Sequence, residues 1–344
     1  MLDGKRVLVT GGTGSLGGAL VRRLLAGDMG RPDKVIVFSR DETKQHEMRL
    51  RWMHAEATDD VAYRDYTKVL EFRIGDVRDY DSVAMALRGV HAVFHAAALK
   101  QVPSCEYAPL EAVKTNVVGA SNVARAIVRF GLDVELAVAV STDKACKPVN
   151  VMGMTKALQE RIFINGNLGQ NRTRFMCVRY GNVISSRGSV VPLFKDQIAK
   201  GGPVTVTLDR MTRFLLTLDR AVDTIFAAVR SGEPGDTYIP RLPAAYMIDI
   251  AKALIGDRKI EIKMIGVRPG EKIDEILISE EEAFRTVARG EYFVIRPILP
   301  ELTGASFTPA LEEEYSSRRV TLDVRDLRSL LGITDAVGEQ PFES

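Results

Sequence analysis

The stretch "VLVTGGTGSLGGAL" (Val7 to Leu20) limits what this chain can fold into more than any other. A short apolar run ends in a cluster of glycines, and a segment with helical spacing follows. Gly12-x-Gly14-x-x-Gly17, overlapping Gly11-x-x-Gly14-x-x-Gly17, allows a tight turn and a close backbone approach to a pyrophosphate. The helix beyond the turn presents unpaired amides and the positive end of its dipole. A glycine pattern alone says little, but this one stands between a strand and a helix at the start of a βαβ unit. The turn nominates Gly11, Thr13, Gly14, Ser15, Leu16 and Gly17 as nucleotide contacts.

The rhythm continues downstream. "KVIVFSR" (34–40), "VLEFRIGDV" (69–77), "AVFHAAA" (92–98), "VELAVAVST" (134–142) and "RFMCVRYGNV" (174–183) read as strands. Helical spacing covers Ala19 to Ala26, Leu110 to Phe130 and Lys156 to Ile164. This alternation predicts an α/β fold, a Rossmann-type doubly wound parallel sheet, with a smaller C-terminal substrate-binding α/β cap. After about Asn182 the rhythm breaks into short strands, prolines (Pro192, Pro203, Pro234, Pro240, Pro243) and one helix, Leu218 to Val229. The expected division is a nucleotide-binding domain over 1–182 with a returning segment near 208–231. The cap takes 183–207 and 232–300, and 301–344 is an extension whose last dozen residues fray.

Composition narrows the partners. The 344 residues suffice for one large domain or two coupled ones, and 46% hydrophobic content supports a full core. With 47 basic and 45 acidic residues, net charge is +2, so neither nucleic acid nor a membrane surface is an expected partner. Cys105, Cys146 and Cys177 lack CxxC spacing, and His46, His54, His91 and His95 lack metal-ligand spacing, so no metal is expected. No run approaches about 18 apolar residues, and the expected location is the cytoplasm.

The end of the second strand speaks to the cofactor. An acidic residue there binds a ribose 2'-hydroxyl and favours NAD. Here Ser39 and Arg40 come first, with Lys44 one turn on, and a guanidinium fork suits a 2'-phosphate. NADP is therefore favoured, while Asp41 keeps NAD open. Asp76 and Val77, after the third strand, stand where an adenine edge would lie. Ala96, Ala97 and Ala98 end the fourth strand beside the same crevice.

"PVNVMGMTKAL" (148–158) carries Lys156, but Met152 stands where related dehydrogenases often place a proton-carrying Tyr. A thioether exchanges no proton, so Met152 reads as a space-filling cofactor contact. Lys156, on the same helix face, could reach the nicotinamide ribose. Proton chemistry then falls to Thr142, Asp143 and Lys144 at the end of the fifth strand. The two charged neighbours diverge if extended and converge in a turn. Burial and Lys156 are expected to lower the Lys144 pKa and free it as a base.

"TGGTGSLG", "FSRDETKQ", "IGDVRD", "HAAALKQVPSCEYAPLEAVKTNVVGASNV", "STDKA", "RYGNVISSRGSVVPLF", "MTRF" and "GVRPGEK" occur in order over roughly residues 1–300. Together they resemble the UDP-N-acetylglucosamine 4,6-dehydratases, extended short-chain dehydrogenase/reductases of capsule and flagellin sugar biosynthesis. "AALKQVP" is more similar to the C5-inverting members than to the membrane-anchored retaining ones. The resemblance implies oxidation at C4, proton removal from C5, loss of the C6 hydroxyl as water, and hydride return to C6. It implies Lys144 as the C5 base, Asp143 as the C6 acid and Thr142 orienting the 4-hydroxyl. It also implies that Lys100 and Thr115 face the sugar. Asp143 or a water is left to take the O4 proton. Some family members carry Met at the Tyr position.

Donors for a diphosphate are sought among Asn182, Arg187, Ser189, Val190, Arg213 and Arg268, with Glu271 accepting from a ribose. The expected substrate is UDP-N-acetylglucosamine, and the expected assembly is a homo-oligomer, dimer or hexamer. Two other readings stay open. One is a nucleotide-sugar 4-epimerase of the same superfamily, and the other a catalytically silent NADP-binding protein.

Overall fold

The computed structural model describes residues 1–56, 66–170, 172–184, 189–267, 270–304, 306–331 and 333. Six parallel strands form its centre: β1 (Arg6–Thr10), β2 (Lys34–Ser39), β3 (Leu70–Ile74), β4 (Ala92–His95), β5 (Leu136–Thr142) and β6 (Arg174–Tyr180). Their spatial order is β3-β2-β1-β4-β5-β6, so direction of travel reverses between β1 and β4. That reversal opens a crevice at the carboxyl edge, where such sheets bind ligands. Thr10 aligns with Phe38 on one side and His95 on the other, bringing three strand ends level at the glycine turn. The doubly wound α/β fold read from the sequence is the fold observed.

Both faces of the sheet are buried, as parallel strands require. Val7 and Val9 face one layer with Leu20, Leu24, Val222 and Phe226 of helices Ser15–Leu25 and Leu218–Ser231. Leu8 faces the other, with Val123, Ile127 and Phe163 of helices Gly119–Phe130 and Val151–Asn165. Each such buried side chain contributes roughly 1.5–3 kcal/mol.

The expected long helix from Leu110 is three joined pieces. Pro109–Ala112 and Gly119–Phe130 are α-helical, while Val113–Val118 widens into π-type turns. An inserted residue of this kind redirects side chains and often marks a site. Asn116 sits in the wide segment and is fully buried. It bonds the Leu99 backbone through both amide atoms, at 2.8 and 3.0 Å, and Thr155 Oγ1 at 2.9 Å.

The division expected near residue 182 needs correction. Thr237–Pro240 extends the main sheet beside β6, and Tyr292–Ile295 and Thr286–Arg289 add two antiparallel strands beyond it. Sequence reading places 232–300 wholly in the cap. The chain returns because the edge of β6 must be covered, and β-pairing over that distance leaves no local pattern. A separate core of Ile184, Phe194, Val204, Val206, Leu215 and Ile250 lies over the carboxyl edge. Strand Thr212–Leu216 of that region pairs with Asn182–Val183 and Ala244–Tyr246. The last dozen residues, where the sequence predicts fraying, lie outside those described except for Ile333. Among the described residues no helix is long and apolar enough to cross a membrane.

Candidate active site

The glycine turn is built for a close approach. Gly11 takes φ +67°, and a Cβ on Gly17 would stand 2.4 Å from the Gly11 carbonyl oxygen. Helix Ser15–Leu25 starts at Gly14 with no side-chain cap and no acidic residue in its first turn. Its first amides are left for an anion. Ala96 and Ala97 donate their amides to Thr10 O (3.2 Å) and Thr10 Oγ1 (3.3 Å), which brings the end of β4 beside the turn. The cradle and its amides fit a dinucleotide pyrophosphate.

At the end of β2, Gln45 Nε2 bonds Ser39 O at 2.9 Å and Ser39 Oγ at 3.1 Å, leaving the Ser39 hydroxyl proton to donate. Arg40 is more than half exposed, and its nearest carboxylate, Asp76, is 3.9 Å away. Lys44 pairs with Asp41 instead. Asp76 accepts from Arg78 N at 3.0 Å and Arg78 Nε at 2.8 Å. Val77 O is fixed by Asn122 Nδ2 at 2.9 Å.

The end of β5 tightens into a single 3-10 turn, Asp143–Ala145, so the two charged neighbours converge. Thr142 Oγ1 donates to Asp143 Oδ1 at 2.7 Å, and Lys144 Nζ donates to the same oxygen at 3.1 Å. Asn182 Oδ1 accepts from Lys144 Nζ at 3.3 Å. Gly153 allows this packing, because a Cβ there would lie 2.2 Å from Lys144 O. The side chain of Met152, one residue earlier, is buried in a small apolar cluster with Cys105 and Ala112.

Sequence reasoning missed Glu275. Its Oε1 is 3.1 Å from Lys144 Nζ and 3.5 Å from Arg213 Nε, and the side chain is almost wholly buried. The only sequence signal was an acidic pair, Asp274-Glu275, just past "RPGEK". Two buried side-chain oxygens here have no protein partner, Asp143 Oδ2 and Glu275 Oε2, and Thr115 Oγ1 in the π-type segment is likewise buried without one. Each is costly to bury alone, so each suits a ligand hydroxyl or amide.

Two electrostatic expectations change. Burial works to lower the Lys144 pKa, but the Asp143 and Glu275 carboxylates outweigh it and leave Lys144 above its ordinary value. Lys156 is not among its partners. Lys156 Nζ instead donates to Val140 O at 2.6 Å and Gln159 Oε1 at 2.7 Å, and burial lowers its pKa to about 8. Arg213 is also redirected. Its NH1 donates to Thr212 O (2.7 Å) and Ile273 O (3.0 Å) and its NH2 to Lys272 O (2.9 Å). A fork spent on carbonyls serves the loop more than a phosphate.

Lys100 is exposed and Glu271 half-buried. Ser189 Oγ donates to Ile184 O at 2.9 Å, and Val190 starts the helix that follows. Arg187 and Arg268 lie outside the described residues.

The polysaccharide biosynthesis protein family model matches residues 7–297. The chain belongs to this family. Other members share its full length. A Rickettsia bellii (strain RML369-C) protein named UDP-glucose 4-epimerase is 40% identical, with 99% of each chain covered. Its counterpart from Rickettsia massiliae (strain Mtu5) is 41% identical over the same shares. Among solved structures, Pen from Bacillus thuringiensis superposes with a TM-score of 0.84 at 34% identity, covering 96% of this chain and 98% of that one. DesIV, a dTDP-glucose 4,6-dehydratase from Streptomyces venezuelae, shares the fold at a TM-score of 0.65 and 23% identity, over 78% and 86% of the two chains.

Proposed function

We propose that this family member dehydrates UDP-N-acetylglucosamine to the 6-deoxy-4-keto sugar, inverting C5, with NADP as its dinucleotide. The observation that carries this reading is Lys144 held between two buried carboxylates at the end of β5. Moving hydride at C4 alone requires no such array. Eliminating water across C5 and C6 requires a base and an acid together.

The bound dinucleotide would supply hydride acceptance at C4 and its return at C6. Gly11 to Gly17 would hold the pyrophosphate, and Ser39 and Arg40 the 2'-phosphate. Met152 would fill space beside the ring, and Lys156 would reach the nicotinamide ribose by leaving Gln159. Thr142 and Thr115 would orient sugar hydroxyls. An ordered water would take the O4 proton as hydride leaves C4, Lys144 would remove the C5 proton, and Asp143, through its unpartnered Oδ2, would protonate the departing C6 hydroxyl; a solvent proton would then return to C5 from the opposite face. The Lys144 ammonium must give up its proton before it acts, and Asp143 is the adjacent acceptor. Exposed apolar residues on the outer helices, Leu110, Val128 and Phe130, support a homo-oligomer, dimer or hexamer. A cytoplasmic location belongs to the same reading.

A second reading is a UDP-sugar 4-epimerase, favoured by the name of the Rickettsia relatives. Incubation with UDP-N-acetylglucosamine in deuterium oxide, followed by NMR, separates the two. A 4-ketone with a C6 methyl group and deuterium at C5 supports dehydration. UDP-N-acetylgalactosamine, or UDP-galactose from UDP-glucose, supports epimerisation. Dinucleotide binding without turnover of any of these sugars overturns both.

A further inference from the structure

Glu275 is held by the fold with unusual completeness. Its amide donates to Ser317 Oγ at 2.9 Å, and its carbonyl accepts from Ser317 N at 2.8 Å. Ser317 Oγ is in turn 2.6 Å from Thr212 Oγ1. Ser317 lies beyond residue 297, where the family match ends, and reaches back through strand Tyr315–Ser316, paired with Ile276–Ile278. Both backbone groups of one buried glutamate are thus fixed by a distant segment. The side chain extends from that anchor to Lys144.

We propose that Glu275 is a positioning residue for the acid–base pair: it aims the Lys144 amine and sets the pH range over which Asp143 and Lys144 exchange protons. This rests on the reading of Asp143 and Lys144 as acid and base.

The geometry gives Lys144 Nζ two carboxylate partners, each at 3.1 Å, arriving from different parts of the chain. Without Glu275 the amine would keep one carboxylate, that of its chain neighbour Asp143, and the longer contact to Asn182 Oδ1 at 3.3 Å. A second fixed acceptor defines its direction. The charged groups facing this centre are Asp143 and Lys144 at the end of β5, Arg213 on strand Thr212–Leu216, and Lys272 and Glu275 on the loop before Ile276. Burial pushes Glu275 up, but Lys144, Arg213 and Lys272 outweigh it and hold its carboxyl below the usual range. Asp143 goes the other way, raised first by burial and then by Glu275. Of the two carboxyls, Glu275 is therefore the one held more firmly as an anion. Its field raises both Asp143 and Lys144, because each binds a proton more readily beside an anion.

The test compares Glu275→Gln and Glu275→Asp with the parent holoenzyme. Glu275→Gln keeps the shape and removes the charge. Turnover is expected to fall at least about 10-fold. Both limbs of the pH profile should move to lower pH by about one unit or more. Glu275→Asp keeps the charge on a shorter arm, so its rate falls while its profile stays near the parent's. An unshifted profile for Glu275→Gln would overturn the proposal, since lost packing lowers rate without moving both limbs together. A second measurement uses the parent chain without sugar. With 13C-labelled aspartate, assigned through Asp143→Asn, the Asp143 carboxyl should titrate above the ordinary aspartate range. It should titrate lower in Glu275→Gln. An Asp143 that titrates at or below that range in the parent sinks the proposal even if neither variant folds. This titration needs no turnover, so it judges Glu275 separately from the choice of reaction.

Discussion

The carbonyl oxygen of Gly11 lies against the α-carbon of Gly17, so closely that an added Cβ would stand 2.4 Å from it. Neither partner can yield, because both atoms belong to the backbone of the turn. Gly17→Ala should therefore abolish dinucleotide binding, measured by calorimetry. Gly18 is the internal control. A Cβ there meets nothing nearer than Gly12 O at 3.8 Å. Gly18→Ala should retain binding and gain up to about 1 kcal/mol of helix stability.

Lys144 and Met152 make opposite predictions. Lys144→Ala removes the proposed C5 base and should lower turnover about 10²–10⁴-fold. Dinucleotide affinity should be unchanged, since Lys144 faces Asp143, Glu275 and Asn182 rather than the glycine turn. Met152→Ala should leave turnover measurable while costing about 2–5 kcal/mol in urea denaturation, because it empties a buried apolar site. If Met152→Ala were as inactive as Lys144→Ala, the space-filling role would be wrong.

Arg40 tests the choice of dinucleotide. Its guanidinium is exposed at the end of β2 and only loosely paired to Asp76. Arg40→Ala should weaken NADP binding by roughly 10-fold or more, the size of a lost charge-assisted contact, and leave NAD binding within a factor of about two. Equal losses for both dinucleotides would show that Arg40 does not contact a 2'-phosphate.

On β6, beside Ser141 of β5, Arg179 bridges two carboxylates. It meets Glu160 at 3.0 and 2.6 Å and Glu282 at 2.7 and 3.0 Å. Burial alone would raise the Glu282 carboxyl, but Arg179 and the Ser279 amide depress it to about 2. A depressed carboxyl stabilises the fold above its unfolded value, 4.5, and that stability is lost as pH falls toward about 2. The unfolded chain takes up the proton first. Glu282→Gln should lower the urea midpoint at neutral pH and flatten its decline over that window. A decline as steep as the parent's would remove Glu282 as its source.

The sequence by itself determined the doubly wound sheet, the glycine turn and the Thr142-Asp143-Lys144 end of β5. Each rests on neighbours in the chain: apolar runs of strand length, glycines at turn spacing, and polar residues directly after a buried strand. It also shows that Met152, a thioether, has no proton to exchange. Tertiary structure alone decided the rest. Glu275 meets Lys144, and Ser317 anchors Glu275, through contacts between remote segments that leave no periodic trace. The return of Thr237–Pro240 and Tyr292–Ile295 to the main sheet is hidden for the same reason. The direction of the Lys144 pKa shift is not legible from its own neighbourhood in the sequence. Burial and a nearby lysine suggested a lowered pKa, but two carboxylates brought in by folding reverse the direction. Electrostatic energy depends on distance in space, and distance along the chain does not report it.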